Sequence, residues 1–84
     1  MIWFVYMLRC RDNSIYTGIT NNLDNRIEAH MSGNGSKYLR GRLPVELIYK
    51  EDFSNRSSAS KREIEVKKLK KKEKELLIKY AKQL

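Results

Sequence analysis

The sequence predicts an α+β fold in which three helices flank a three-stranded antiparallel sheet, in the order β-β-α-β-α-α. Two short runs rich in aromatic and β-branched residues, with turn-forming residues between them, indicate a β-hairpin. A third strand-like run follows a predicted helix, and two stretches with helical features complete the chain. Three strands and three helices suffice to close one small core, so residues 1–84 are expected to form a single domain.

The first two strands are predicted over Ile2–Cys10 and Ile15–Thr20. The first run is too short and too evenly apolar for a surface helix, which indicates a central strand that is apolar on both faces. Between the two runs, Arg11–Ser14 contains Asp and Asn, which tolerate left-handed backbone and bond their own main chain. The two strands are therefore expected to pair as an antiparallel hairpin.

A helix is predicted directly after the hairpin. Asn21 and Asn22 are good N-caps, and Asp24 adds negative charge to the first turn. The apolar positions recur at helical spacing, at Leu23, Ile27 and Met31. Gly33 and Gly35 are expected to end this helix.

The remaining chain is predicted to contain a loop, a strand and two helices. Ser32–Arg42 is rich in glycine and basic residues and indicates a loop. In Val45–Lys50 every second residue is apolar, which predicts the third strand. Ser57–Leu69 and Lys70–Leu84 are expected to be helical, with the lysine cluster Lys67–Lys72 at their joint, at the far end from the strand tyrosines. The last helix is predicted to carry one apolar stripe, formed by Leu76, Leu77, Tyr80, Ala81 and Leu84.

The positive charge is concentrated in the last third of the chain. The formal net charge is +8, of which residues 1–53 carry +1 and residues 54–84 carry +7. Such a distribution favours an anionic partner, and nucleic acid is the commonest one for a small basic protein. A solvated helical face without any partner is the alternative.

The cysteine count and the hydropathy pattern indicate a cytoplasmic protein. The single Cys10 excludes a disulfide framework and a multi-cysteine zinc site. No apolar run approaches the length of a membrane span. Residues Met1–Cys10 lack the basic start and the small-residue cleavage site of a signal peptide.

Tyr6 and Tyr16 are candidate catalytic residues, one on each strand of the hairpin, with Gly18 nearby. Strand tyrosines are most often packing residues, but a glycine inside a strand often marks a close approach of a ligand. Two tyrosines that serve one site must share a face of the sheet. A two-residue turn would put them on opposite faces, so we predict an odd-length connection around Arg11–Ser14, with Gly18 beside the pair.

Arg26 and His30 are the next candidates, because a spacing of four residues places them on one face of the first helix. An arginine grips phosphate oxygens in a bidentate fork, and a histidine donates or relays a proton. The alternative is a half-exposed arginine beside a histidine at the boundary of the core.

Glu63 is a candidate metal ligand, since one carboxylate, waters and a substrate phosphate are enough for magnesium. The alternative is a capping box in which Ser60 is the N-cap and Glu63 is the N3 residue.

The predicted loop is a candidate nucleic-acid-binding segment. Basic residues interleaved with an aromatic ring suit a phosphate backbone with an adjacent base, although a flexible solvated loop would have a similar sequence. The loop residues that would bind are Lys37, Tyr38, Arg40 and Arg42.

Together these segments resemble the GIY-YIG endonuclease superfamily, especially its small stand-alone bacterial members. Phe4-Val5-Tyr6 stands where the family has Gly-Ile-Tyr, and Tyr16-Thr17-Gly18 where it has Tyr-Ile-Gly, so both tyrosines and the glycine are kept. The resemblance covers nearly the whole chain. It continues through Arg26 to His30, Gly35-Ser36-Lys37-Tyr38, Arg42-Leu43-Pro44-Val45, and Ala59 to Lys67 around Glu63.

The resemblance implies hydrolysis of a nucleic-acid phosphodiester with one divalent metal ion, Mg²⁺ or Mn²⁺. In that scheme Tyr6 or Tyr16 activates water and Arg26 steadies the phosphate. His30 assists proton transfer, and Glu63 binds the metal. A tyrosine hydroxyl is a poor base in water, and a nearby guanidinium and metal would lower its pKa.

Three functions follow as hypotheses. The first is a metal-dependent endonuclease, with DNA favoured over RNA as substrate, acting as a monomer without a membrane partner. The second is a non-catalytic nucleic-acid-binding protein on the same fold. Larger family nucleases often place an asparagine in the helix after the metal glutamate, and here no asparagine follows Asn55. The third is a membrane-surface or protein-interaction role for the basic C-terminal helix.

Overall fold

The computed structural model describes residues 1–82, which form three strands and four helices. In chain order they are β1 (Trp3–Cys10), β2 (Ile15–Thr20), α1 (Leu23–Met31), α2 (Lys37–Arg40), β3 (Val45–Phe53), α3 (Arg56–Lys67) and α4 (Lys71–Lys82). The α+β class and the order of the main elements agree with the prediction. The short helix α2 is an additional single turn within the predicted loop.

β1 is the central strand of an antiparallel sheet with the order β2-β1-β3. Its side chains enter the core on both faces, as the evenly apolar sequence predicts. On one face the buried cluster consists of Tyr6, Leu8, Cys10 and Leu39, with residues of α1 packed against it. On the other face it consists of Met7, Tyr49, Val66 and Ile78. The sheet therefore lies between a layer of α1 and α2 and a layer of α3 and α4.

The connection between β1 and β2 has the predicted odd length. Tyr6 is paired with Gly18, and the Cys10 amide donates to the Ser14 carbonyl at 2.9 Å. Ser14 therefore extends the pairing by one residue beyond β2, and residues 11–13 form the loop. Asn13, the last of them, has a left-handed φ of 69°. A three-residue hairpin loop that ends in a left-handed residue is a common type, and it leaves Tyr6 and Tyr16 on the same face of the sheet.

The predicted N-cap and the first of the two predicted C-terminal glycines cap α1, whereas Gly35 lies against His30 instead. Asn22 is the N-cap, and its side chain accepts a hydrogen bond from the first turn. At the other end Gly33 has a φ of 84°, and its amide donates to the His30 carbonyl at 3.1 Å. The Asn34 amide donates to the Ala29 carbonyl at 2.9 Å, which completes a Schellman motif. This turn sends the chain back over the His30 end of the helix.

β3 departs from the predicted alternation because it contains a bulge. The register against β1 shifts between Met7 and Leu8, so Ile48 has no residue opposite it. As a result Val45 packs in the α1 layer of the core, whereas Tyr49 packs in the α3 layer. β3 also runs past the predicted end of the strand, to Phe53.

The predicted capping box is wrong, because α3 begins before Ser60. Asn55 is the N-cap, and its side chain accepts from the Ser58 amide at 2.8 Å. Ser60 therefore lies inside the helix, where it cannot cap the residues that follow. Glu63 is left without a capping role.

The predicted apolar stripe of α4 is also wrong. Ile78 is the buried residue, at 4% exposure, and Leu77 packs beside its cluster. Leu76 and Tyr80 are instead 46% and 65% exposed. Leu84, the last member of the predicted stripe, lies outside the described residues.

An ion pair fixes the rotation of α4. The Arg9 guanidinium donates to both carboxylate oxygens of Glu75, at 3.0 and 2.6 Å. This bidentate contact orients Glu75 toward β1. Ile78, about one turn further along the same helix face, therefore lies in the core. Within residues 1–82 no helix has the length and apolar character needed to cross a bilayer.

Candidate active site

The site is built around Tyr6 and Tyr16, which extend from adjacent strands toward the layer of α1. Their ring centroids are 6.3 Å apart. A Cβ atom at Gly18 would lie 2.6 Å from Tyr6 Oη and 3.2 Å from Tyr16 Cε2. Only glycine leaves room for the Tyr6 ring over β2, which confirms the prediction that Gly18 lies beside the pair.

His30 forms a buried hydrogen bond with Tyr6. Nε2 lies 2.9 Å from Oη, and each residue is 1% exposed. The Ser36 amide donates to Nδ1 of the same ring at 3.3 Å. Since Nδ1 accepts this bond, Nε2 carries the hydrogen of the neutral ring and donates it to Tyr6 Oη. The phenolic oxygen thus receives a fixed hydrogen-bond donor.

Gly35 and Ser36 are site residues that the sequence analysis missed. A Cβ atom at Gly35 would lie 2.9 Å from Cε1 of His30 and closer still to Nδ1. Glycine here lets the backbone cross the imidazole edge, so that the Ser36 amide reaches Nδ1. The Gly-Ser pair behind the helix-ending Gly33 is the signal that could have indicated this contact.

Arg26 is the cation of the site. It is half-buried, and its pKa is raised above the ordinary value, chiefly by hydrogen bonding to Tyr6. Burial raises the pKa of Tyr6 to about 12, whereas Arg26 acts in the opposite direction and Tyr16 adds to the increase. Tyr6 is therefore protonated at neutral pH, and Arg26 is the local charge that favours its ionised form.

His30 is electrically neutral at neutral pH. Burial lowers its pKa, and the positive charge of Arg26 lowers it further. A neutral imidazole is the form that accepts a hydrogen bond at Nδ1, in agreement with the contact from Ser36.

Glu63 lies on α3, which packs against the other face of the sheet, and its charge acts on the tyrosine site. Behind burial, the main cause, its charge is among those that raise the pKa of Tyr6. Glu63 Oε2 lies 3.4 Å from Lys67 Nζ, and the Glu63 side chain is 20% exposed. Among residues 1–82 no group of three His, Cys, Asp or Glu side chains could hold a metal ion. One accessible carboxylate fits a cation that takes its other ligands from water and a phosphate.

The loop aromatic residue lies against the tyrosine pair. The ring centroids of Tyr38 and Tyr16 are 6.0 Å apart. The Arg42 guanidinium stacks on the Tyr38 ring at 3.9 Å and pairs with Asp12 at 3.0 Å. Arg42 therefore holds Tyr38 in place, and much of its charge is already neutralised within the protein.

The other basic residues differ in how freely they can meet a ligand. Arg40 Nε donates to the Gly33 carbonyl at 3.0 Å, which ties the loop to the end of α1. Lys37 forms no ion pair within residues 1–82. The lysine cluster lies at the joint of α3 and α4 as expected, but its first member, Lys67, contacts Glu63 and so belongs to the site rather than to the far end.

The predicted residues of the tyrosine site thus meet around β2. A guanidinium can bind a phosphate group, and a phenol with a fixed donor and a nearby cation can accept a proton from water once it ionises. A carboxylate at the border of the same site can hold a divalent cation. These are the parts needed for attack of water on a phosphodiester.

Comparisons with known proteins agree with this arrangement. A family model described as the GIY-YIG catalytic domain matches residues 2–76. UPF0213 protein OB0043 of Oceanobacillus iheyensis is 49% identical over 80 residues, which cover 95% of this chain and 93% of that protein. UPF0213 protein CPE1444 of Clostridium perfringens is 53% identical over 75 residues, 89% of this chain and 81% of that protein.

Solved structures of similar proteins have the same fold. The solution NMR structure of UPF0213 protein BH0048 from Bacillus halodurans is 44% identical, with a TM-score of 0.62 over 95% of this chain and 85% of that one. The solution NMR structure of protein EF2693 from E. faecalis is 37% identical, with a TM-score of 0.65 over 96% of this chain and 88% of that one.

Proposed function

The chain belongs to the GIY-YIG family, and on that premise we propose that it is a metal-dependent endonuclease that hydrolyses phosphodiester bonds in nucleic acid, with DNA preferred over RNA. One observation carries this proposal. The buried oxygen of Tyr6 receives the Nε2 hydrogen of His30 and lies beside the charge of Arg26. A tyrosine that only packs in a core has no need of a fixed donor and a neighbouring cation that both favour its ionised form.

Tyr6 is the proposed general base. Its pKa of about 12 has to fall first, which Arg26 favours and a cation held by Glu63 would favour further, and its own proton passes to solvent. The phenolate then takes the proton of the attacking water as the new oxygen–phosphorus bond forms and the bond to the leaving oxygen breaks. His30 positions the phenolate through Nε2, and Ser36 keeps the ring in that tautomer. Tyr16, half-buried at the border of the site, contacts the substrate, and Arg26 binds a non-bridging phosphate oxygen.

Glu63 is the proposed ligand of one Mg²⁺ or Mn²⁺ ion, which would neutralise charge on the phosphoryl group and the leaving oxygen. The carboxylate borders the tyrosine site and keeps some exposure, as such a ligand requires. Lys67 pairs with it in the free protein, so the lysine has to move aside when a divalent ion binds.

The second candidate function is nucleic-acid binding without cleavage. The observation that favours it is the Glu63–Lys67 ion pair together with the lack of any three-ligand metal cluster in residues 1–82. In this case the basic loop and the tyrosine site bind the phosphate backbone, and the carboxylate only balances charge.

Cleavage assays on a panel of substrates separate the two functions. Labelled single-stranded, nicked and branched DNA, and RNA of the same sequence, are incubated with purified protein and Mg²⁺, Mn²⁺ or EDTA. An endonuclease cuts at least one of them with metal and none with EDTA. Binding to the same substrates without cleavage under any condition supports the second function and overturns the first. Size-exclusion chromatography and cell fractionation test the expected monomer and the expected cytoplasmic location.

A further inference from the structure

A cleft of about 330 Å³ opens along the free edge of β2, beside the tyrosine site. Ile15 and Thr17 line it from the face of the sheet that α3 covers, whereas Tyr16 lies on the opposite face, so the cleft runs around the edge of the strand. The volume is at the lower end of the range for small-molecule sites, which suits a single nucleotide unit. The lining residues are Ile15, Tyr16, Thr17, Tyr38, Lys67 and Lys74.

Thr17 leaves an unused polar atom at this cleft. The residue is 4% exposed, and its Oγ1 has no hydrogen-bond partner within residues 1–82. A threonine hydroxyl offers one donor and two acceptor sites, and a buried one is almost always paired. Oγ1 itself is closed off from solvent, so it becomes a donor to a ligand oxygen in the cleft only after the Thr17 side chain turns about χ1.

Two lysines set the charge of the cleft. Lys67 and Lys74 reach it from α3 and α4, and no acidic residue among residues 1–82 lines it. Lys74 is half-buried, and no carboxylate pairs with it in the described part of the chain. Lys67 is paired with Glu63, so Lys74 supplies the unbalanced positive charge, which favours an anion with several acceptor oxygens.

The cleft is next to the proposed metal ligand. Lys67 lines the cleft, and its Nζ lies 3.4 Å from Glu63 Oε2. Tyr16 lines the cleft and is also one of the two tyrosines of the candidate active site. The Tyr38 ring, 43% exposed, adds an aromatic surface against which a sugar or base can pack.

We propose that this cleft binds the backbone phosphate next to the one that is cleaved, with Thr17 Oγ1 donating to it and Lys67 and Lys74 balancing its charge. The inference rests on the proposed action on nucleic acid and adds a second phosphate subsite to it. The strand therefore passes around the edge of β2 rather than ending at the tyrosine pair.

Binding of a fluorescently labelled single-stranded DNA oligonucleotide in EDTA, measured by anisotropy over a range of salt concentrations, tests the subsite without any cleavage. Lys74→Met should weaken binding and flatten the salt slope by about 0.7, the value for one phosphate on a single strand. Lys79→Met is the matched control, because Lys79 is an exposed lysine of the same helix that does not line the cleft, and it should leave the slope unchanged.

Thr17→Val should weaken binding about tenfold, whereas Thr17→Ser, which keeps the hydroxyl, should bind like the wild type. The thermal midpoint of each variant is measured in parallel, and if Thr17→Val fails to fold, Lys74→Met decides alone. If DNA binds but neither position matters, the subsite is wrong and the proposed function stands. If the wild type binds no nucleic acid, both are wrong.

Discussion

Replacing Gly18 with alanine should break the contact on which the tyrosine site depends. The new Cβ would lie 2.6 Å from Tyr6 Oη and 2.8 Å from Tyr6 Cζ. No real Cβ contact is that short, so the phenol has to move and the hydrogen bond to His30 is lost. Gly18 does not have a positive φ, so the alanine is not opposed by backbone strain.

The expected cost combines three effects of known size. Overpacking a filled site costs about 1–3 kcal/mol, and loss of a hydrogen bond costs about 1 kcal/mol. Alanine also lowers the conformational entropy of the unfolded chain, which raises the free energy of unfolding by about 0.4–1 kcal/mol. The net loss in the free energy of unfolding is therefore about 1–4 kcal/mol, which lowers the thermal midpoint of a domain of this size by about 4–30 °C.

Calorimetry or circular dichroism measures this shift, and Gly41→Ala is the matched control. Gly41 has a φ of −90°, and a Cβ there meets nothing within 4 Å, so its midpoint should change little. Adding Tyr6→Phe to Gly18→Ala removes the closest contact, so the two changes together should cost less than their sum. If Gly18→Ala is as stable as Gly41→Ala and the imidazole NMR signals of His30 do not move, then Gly18 is not what makes room for the Tyr6 ring.

Three further predictions concern charge. Glu63→Gln should abolish metal-stimulated cleavage while lowering the free energy of unfolding by less than about 0.5 kcal/mol, because only the pair with Lys67 is lost. A thermal melt and a cleavage assay on one sample check this. Undiminished cleavage would exclude the metal role. His30, the sole histidine, has a lowered pKa, so the free energy of unfolding measured in urea should fall as the pH drops below about 6.5. In that range the unfolded chain binds a proton that the folded protein does not. A His30→Gln variant with the same pH dependence would contradict this. On duplex DNA, Lys37→Ala should flatten the salt slope of binding by about 0.9 and Lys72→Ala should not, and the reverse result would make the lysine cluster the docking surface.

The face of the sheet that carries the site could be predicted from local chemistry. Asn and Asp in the turn allow a left-handed residue, and Asn13 adopts that conformation, which sets the hairpin length and places Tyr6 with Tyr16. A glycine inside a strand was the second local indication of a close contact. In the structure the Tyr6 ring lies directly over Gly18, where a side chain would not fit.

The features that the sequence analysis missed depend on contacts between distant segments. The bulge at Ile48 is imposed by pairing with β1, and the rotation of α4 is set by the bond between Arg9 and Glu75, 66 residues apart. The contact of Ser36 with His30 depends on how the chain turns back after α1. Periodicity within one segment carries no information about such contacts.

The most direct test of the central claim is the single-turnover cleavage rate of Tyr6→Phe, with DNA binding measured on the same preparation. Tyr80→Phe, a change to a tyrosine on α4 that is 65% exposed, is the control for the chemistry of the substitution. The proposed mechanism predicts that Tyr6→Phe binds DNA like the wild type but cuts it at least 100-fold more slowly, as expected for loss of a general base worth about 10²–10⁴ in rate, while Tyr80→Phe cuts at the wild-type rate. Cleavage by Tyr6→Phe at the wild-type rate would contradict the claim that this tyrosine activates water.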